Sequence, residues 1–200
     1  MKITTRKLAV IGMLGGLSVM LEVAGVGIIQ LPFLPVQVTI LHIPTIIGAI
    51  IEGPIVGLFI GLIFGGFSMY RAFAQPASPL AIAFMDPLVS ILPRLLIPLI
   101  SYYAFKGVQN TLRLDNQHKL AISSMTAATL GTLTNTIGVL GIAFLRYKHI
   151  FAELFNVDQS IVGKTILLGI AIPNGIPETI FAILIITPVV QALKALYNRK

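Results

Sequence analysis

Cysteine and tryptophan are absent from the 200 residues, and only 10% of the side chains are charged. Without cysteine there is no disulfide, no Cys-ligated zinc, no iron–sulfur cluster and no thiol nucleophile. An ordinary soluble domain carries roughly 25% charged residues. Here 56% of the residues are hydrophobic and the mean hydropathy is +0.94, too little polar surface to cover a water-soluble globule of this size. His-Glu-x-x-His, Gly-x-Ser-x-Gly and paired metal-binding carboxylates are also missing, and His42, His118 and His149 lie in separate segments. The run from Asp158 to Thr165 ends as a phosphate-binding loop does, but Asp158 stands where the first glycine belongs and no strand precedes it. Nothing here calls for a metal or cofactor, and no enzymatic activity is expected. The 14 basic and 7 acidic residues punctuate apolar runs instead of clustering, which points to membrane topology and away from nucleic acid.

What is present reads as an all-α integral membrane protein, one compact bundle of six transmembrane helices filling residues 1–200. The apolar runs predict helices at about 8–29, 38–52, 54–70, 86–106, 119–145 and 164–192. The second and third are short, about 22–26 Å at 1.5 Å per residue, so they need thinned bilayer, neighbours or irregular flanking backbone to reach across. The basic start before the first run imitates a signal peptide, but no small-x-small cleavage site follows and it is expected to persist as a helix. With the N-terminus in the cytoplasm, that side holds Lys2, Arg6, Lys7, Lys106, Arg113, Lys119, Lys194, Arg199 and Lys200, nine cations. The other side holds Arg71, Arg146, Lys148 and Lys164, four. The positive-inside rule therefore favours both termini in the cytoplasm. The polar stretch from Lys106 to Lys119 divides two three-helix halves without a convincing repeat between them, which does not support an inverted-repeat transporter.

Gly57, Gly61 and Gly65 recur every four residues and are expected to let a neighbouring helix of the same chain approach closely. Ala9, Gly12 and Gly16 form a similar stripe on the first helix, which reads equally as internal packing or as a docking face for a partner. Ionisable groups within a span cost at least ~2.5–3.5 kcal/mol each on insertion scales. Glu22, Arg94 and Glu178 are the clear cases, with Asp86 nearer an end. Counting inward from the expected outer ends, Glu22 and Arg94 lie about 10–12 Å down, and Asn135 and Asn174 about 15 Å. This layer reads either as a structural cluster in which Glu22 neutralises Arg94, or as an outward-opening small-molecule pocket. Pro173, Gly175 and Pro177 interrupt the last helix beside Asn174 and free backbone groups, which favours the pocket. Glu178, one turn below Asn174, belongs to the same face. His42 reads as a satisfied structural histidine or a ligand contact, and Tyr70, Phe73 and Phe84 as interfacial anchors.

Thr39-Ile-Leu-His-Ile-Pro-Thr-Ile-Ile-Gly-Ala leading to Gly53-Pro54 and Gly57-x3-Gly61, then Leu133-Thr-Asn-Thr and Asn174-Gly-Ile-Pro-Glu, resemble the substrate-binding S components of energy-coupling-factor (ECF) vitamin transporters, most of all the pantothenate-type members. The resemblance covers nearly the whole chain. It implies a prokaryotic plasma-membrane subunit that captures one vitamin from outside and delivers it while attached to an ECF transmembrane coupling subunit and two ATP-binding subunits. It also implies docking through the first helix, at Gly12, Gly16 and Ala9, with glycine in place of the usual alanine. The implied pocket draws on the loop Gln30–Gln37 and on Arg94, Asn135 and Asn174. An S component for another water-soluble vitamin, a self-sufficient secondary transporter and an assembly subunit without a ligand are the alternatives.

Overall fold

The computed structural model describes residues 4–30, 37–76 and 81–197. It is mostly helical. α1 spans Thr5–Val23, β1 Ile28–Gln30, β2 Gln37–Thr39, α2 Ile43–Glu52, α3 Pro54–Ala74, α4 Ala81–Phe84, α5 Pro87–Ser90, α6 Leu92–Thr111, α7 Asn116–Phe155, α8 Val162–Ile166 and α9 Ile172–Tyr197, with a π-helical turn Leu167–Ala171 between the last two. Among the described residues, four runs are long and apolar enough to cross a membrane: Pro54–Ala74, Pro87–Thr111, Asn116–Phe155 and Val162–Tyr197. Arg6, Lys7 and Glu22 keep α1 out of that set, and α2 is too short for it.

α2 is the centre. Ile43 through Ile50 are all buried, and α1, α3, α6, α7 and α9 pack around them. A helix apolar on every side has no face to offer water and must be enclosed. Ile46, Ile97, Ala127, Ala182 and Ile186 are among the side chains that close this core. A second apolar cluster, with Val89, Val139, Phe151 and Val162, joins α5, α7 and α8 at one end of the bundle.

Several ends depart from the hydropathy pattern. The run expected as a helix over 8–29 stops at Val23. Gly25 takes φ +71°, the Gly27 N–H bonds back to the Leu21 carbonyl and Arg71 Nη1 donates to the Glu22 carbonyl, closing the helix C-terminus. The chain then forms an antiparallel hairpin with Ile28 opposite Thr39 and Gln30 opposite Gln37, so the next helix begins at Ile43 instead of 38. β-branched residues around short polar ones suit a strand as well as an apolar helix, and apolarity alone does not separate the two. α7 runs on past 145 to Phe155 with a break at Tyr147 (φ −124°, ψ 27°). Arg146 and Tyr147 there both reach Asp86, at 2.5 and 3.1 Å, while Phe151 and Ala152 continue the buried face. The expected 86–106 helix is split into α5 and α6 around Ile91 and extends to Thr111. The 164–192 run is α8, the π turn and α9, for Pro173 has no N–H to continue the α ladder. In the loop before α7, Asp115 accepts from the Gln117 and His118 N–H groups, and the His118 ring 2.5 Å away holds its carboxyl below the ordinary carboxylate range. Asp158 accepts from the Ser160 N–H in a local turn of the false phosphate loop.

The Gly57/Gly61/Gly65 stripe packs inside the chain. A Cβ at Gly57 would stand 2.5 Å from Pro98 Cβ, and one at Gly65 2.6 Å from the Ser90 carbonyl oxygen. At Gly61 it would collide with the Arg94 carbonyl, the acceptor one turn before Pro98, which has no N–H to give it. α3 thus closes on the backbone of α6 only because these positions lack side chains. Gly61→Ala should cost about 1–3 kcal/mol through overpacking against backbone, seen as a lower thermal midpoint in detergent. Gly66→Ala, whose Cβ meets nothing within 4 Å, should leave it unchanged, and equal midpoints would refute this role for Gly61.

Candidate functional site

A cleft of about 270 Å³ lies at the end of the bundle where α1 and α3 finish, away from Thr5 and Tyr197. α1 contributes Glu22 from its last turn, and the hairpin and its exit contribute Thr39 and Leu41. α3 contributes Phe64, Ser68, Arg71 and Ala72, spaced i, i+4, i+7 and i+8 on one helix face. Phe84 of α4 and Arg94 of α6 complete it, with Gln75 and Ala81 at its edge.

Arg94 is only 5% exposed. Its guanidinium lies between two rings, 5.2 Å from the Phe64 centroid and 5.6 Å from that of Phe84. Nη1 donates to the Val89 carbonyl at 2.9 Å, and Nε is buried with no partner among the described residues. Glu22 is 8% exposed and its carboxylate accepts from Ser68 Oγ at 3.2–3.3 Å. The neutralising pair of Glu22 with Arg94 does not form: among the described residues no ion pair joins them. Arg71, half-buried, grips the Glu22 carbonyl with Nη1 at 2.5 Å and so acts as a cap on α1. The cleft therefore holds one cation beside two rings with its Nε unspent among the described residues, one carboxylate held by a hydroxyl, and aromatic walls. A buried guanidinium with an open donor suits a small ligand bearing a carboxylate.

The other expected site residues are distributed around this cleft. Glu178 is buried and ties three elements together: Oε1 accepts from the Thr39 N–H at 2.9 Å and Oε2 from Thr136 Oγ1 at 3.0 Å, so α9 and α7 hold the strand that walls the cleft. His42 is fully buried and lies outside the lining. Its Nε2 is 2.9 Å from Thr132 Oγ1, and Nδ1 has no partner among the described residues. Asn135 is 7% exposed, with Oδ1 unpartnered among the described residues, and Asn174 is half-buried on α9; neither lines this cleft. Gln37 opens β2, but its side chain and residues 31–36 lie outside the described residues. Ser68 and Phe64 carry no sequence signal of their own. Tyr70 and Phe73 are exposed, at 63% and 60%, whereas Phe84, grouped with them as an anchor, packs on Arg94.

α1 presents three faces. Gly15, Ser18 and Glu22 are buried, and a Cβ at Gly15 would meet Ile63 of α3 at 2.7 Å. Ala9, Gly12 and Gly16 are exposed, and a Cβ at either glycine would meet nothing within 4 Å.

The family model for "ECF transporter, substrate-specific component" matches residues 6–190. The chain belongs to that family. It is similar to the "Pantothenic acid transporter PanT" of Lactococcus lactis subsp. cremoris (strain MG1363), 32% identical over 181 residues that cover 84% of this chain and 82% of the relative. It is also similar to the "Pantothenate transporter PanT" of Leuconostoc mesenteroides subsp. mesenteroides, 27% identical over 164 residues covering 82% and 78%. Membership in a transporter family and four membrane-length apolar helices make this substrate-specific component a membrane protein.

Glu178→Ala would leave the Thr39 N–H and the Thr136 hydroxyl buried without an acceptor, at about 1–3 kcal/mol. The expected outcome is a lower thermal midpoint, while Glu178→Gln, whose amide oxygen still accepts from Thr39 and whose NH2 donates to Thr136, keeps most of it. Equal losses in both variants would show that the negative charge matters and the two-acceptor tie does not.

Proposed function

We propose that this substrate-specific component captures pantothenate in the Glu22–Arg94 cleft and delivers it through an ECF transmembrane coupling subunit driven by two ATP-binding subunits. The names of the two relatives support the ligand, and one observation carries its placement: a buried guanidinium between two rings, with a donor left unspent. Pantothenate has a carboxylate, two hydroxyls and an amide. Arg94 supplies the cation and Ser68 and Glu22 face the hydroxyls, while Asn135 and Asn174 stand outside the lining, each one turn or less from the groups that hold the wall strand. Pairing of a ligand carboxylate with Arg94 offsets the cost of keeping that cation away from water. In this reading α1, the hairpin with α2, α3, α4–α6, α7 and α8–α9 are the six membrane-crossing units, both termini are cytoplasmic by the nine-to-four excess of cations, and the cleft faces outward.

Arg94→Gln should weaken pantothenate binding by roughly 30-fold to several thousand-fold, equivalent to about 2–5 kcal/mol, and should lose most discrimination between pantothenate and its alcohol, pantothenol. Arg71→Gln, altering a helix cap, should retain that discrimination. Calorimetric titration of both variants with both ligands checks this, and unchanged binding by Arg94→Gln would sink the site.

The open stripe of α1 is the proposed docking face. Because added side chains there meet no neighbour, Gly12→Leu and Gly16→Leu should keep pantothenate affinity and thermal midpoint while uptake and assembly with the coupling subunit fall at least about tenfold. Gly15→Leu, which runs into Ile63, should instead destabilise the chain. Uptake by the chain alone in proteoliposomes would overturn the need for partners.

A further inference from the structure

Two neighbouring residues of α7 converge on one carboxylate oxygen. Arg146 Nε stands 2.5 Å and the Tyr147 hydroxyl 3.1 Å from Asp86 Oδ2, while Asp86 Oδ1 accepts from the Leu88 N–H at 2.9 Å and caps α5. Consecutive side chains of an unbroken α-helix diverge by about 100°. The break at Tyr147 (φ −124°, ψ 27°) turns these two to the same acceptor. Asp86 is buried and Arg146 half exposed.

What lies on either side of Asp86 connects this cluster to the cleft. Two residues before it, Phe84 sets its ring 5.6 Å from the Arg94 guanidinium; three residues after it, the Val89 carbonyl accepts from Arg94 Nη1 at 2.9 Å. Ser90 Oγ donates to the Phe84 carbonyl, and the Val89 and Ser90 N–H groups both donate to the Asp86 carbonyl at 3.0 Å, so residues 84–90 form one braced piece. The third neighbour of the guanidinium, the Phe64 ring, comes from α3.

We propose that Asp86, clamped by Arg146 and Tyr147, is a positioning residue for Arg94: α7 fixes residues 84–90, and they fix the guanidinium that receives the ligand carboxylate. The ligand in this statement rests on the pantothenate reading of the cleft; the ordering of Arg94 does not. Without the clamp, Arg94 enters the complex with rotamer freedom still to lose, and ordering one such side chain weakens binding by up to about tenfold. The loss falls on a ligand that uses the charge. Pantothenol offers the guanidinium no carboxylate and is affected far less. Charge alone predicts the opposite sign for one variant. Taking the Asp86 carboxylate away removes a negative charge from the neighbourhood of Arg94, and Coulomb attraction would then tighten the binding of an anion. Loss of positioning weakens it.

Asp86→Asn suits the test, since an asparagine oxygen still caps α5 while the amide that replaces Oδ2 gives Arg146 no acceptor. The full chain in detergent is titrated calorimetrically with pantothenate and with pantothenol. Asp86→Asn and Arg146→Gln should each bind pantothenate about tenfold more weakly, with pantothenol within about twofold of the unaltered chain. The double variant should lose no more than either single one, because both break the same contact. Arg146→Lys, which restores a cation, should recover part of the difference. In the ligand-free chain the Arg94 Nε–H signal in 15N spectra, identified by its loss in Arg94→Gln, gives a second measurement. Its order parameter should fall by about a third in Asp86→Asn, the step from a rigid to a flexible group. Unchanged or tighter pantothenate binding by Asp86→Asn, equal weakening of both ligands, or an undiminished Arg94 order parameter overturns the clamp. If Arg94→Gln itself leaves pantothenate binding unchanged, the ligand reading falls, and the order parameter alone decides for or against the clamp.

Discussion

The burial of α2 is the constraint on which the rest of the structure depends. Ten residues give about 15 Å of helix, half the thickness of the hydrocarbon layer, and they carry no polar face. Such an element is stable only if other helices enclose it, and α1, α3, α6, α7 and α9 do so. The shortness of α2 has a second consequence. Before its first turn the chain is the β1–β2 hairpin instead of a further turn of helix, so Thr39 and Leu41 become a wall of the cleft. The hairpin in turn is held where it is by Glu178 from α9 and by the Gly27–Ile40 backbone bond beside the strands.

Within the cleft, two arginines of the same chemistry are divided by what surrounds them. Arg71 is half-buried and its guanidinium is engaged by the last turn of α1, where a cation meets the negative end of the helix. Arg94 is placed by tighter means. Gly61 and Gly65 bring α3 against its carbonyl and against that of Ser90, and the Phe64 and Phe84 rings flank its guanidinium. A side chain so confined loses little further freedom when a ligand arrives, which is the physical content of preorganisation. The Glu22 carboxylate accepts from Ser68 and, among the described residues, forms no ion pair with either arginine, which leaves Arg94 unneutralised at close range.

Two stripes with the same spacing show how far sequence carries. Gly57/Gly61/Gly65 and Gly12/Gly16 both read as close-approach faces, and nothing in the spacing tells that one meets α6 and the other meets open space. Only the surroundings of the missing Cβ separate them. Depth along a helix is legible: counting residues puts Glu22 and Arg94 at one level, and the fold joins them in one cleft. Rotation about the helix axis is not, which is why Asn135 and Asn174 share that level without lining the cleft. Ser68, Phe64 and Phe84 are hidden because a hydroxyl or a ring inside an apolar run costs too little to stand out, although the i, i+4, i+7 face ending at Arg71 carries the signal. The hairpin is hidden because isoleucine and valine satisfy a strand and a membrane helix equally.

α1 shows why local pattern underdetermines use. One face must be small where Gly15 meets Ile63 and polar where Glu22 meets Ser68; a second carries Val10, Leu14, Leu17 and Leu21 beside α2; a third carries Ala9, Gly12 and Gly16 outward. Each is spaced at three or four residues, so together they blur into a uniformly apolar run with scattered glycines. A helix with a single buried side would show a clear stripe. A helix that packs on α3 and α2 through two faces and leaves a third open shows none, and its lack of amphipathic pattern is itself the record of those separate demands.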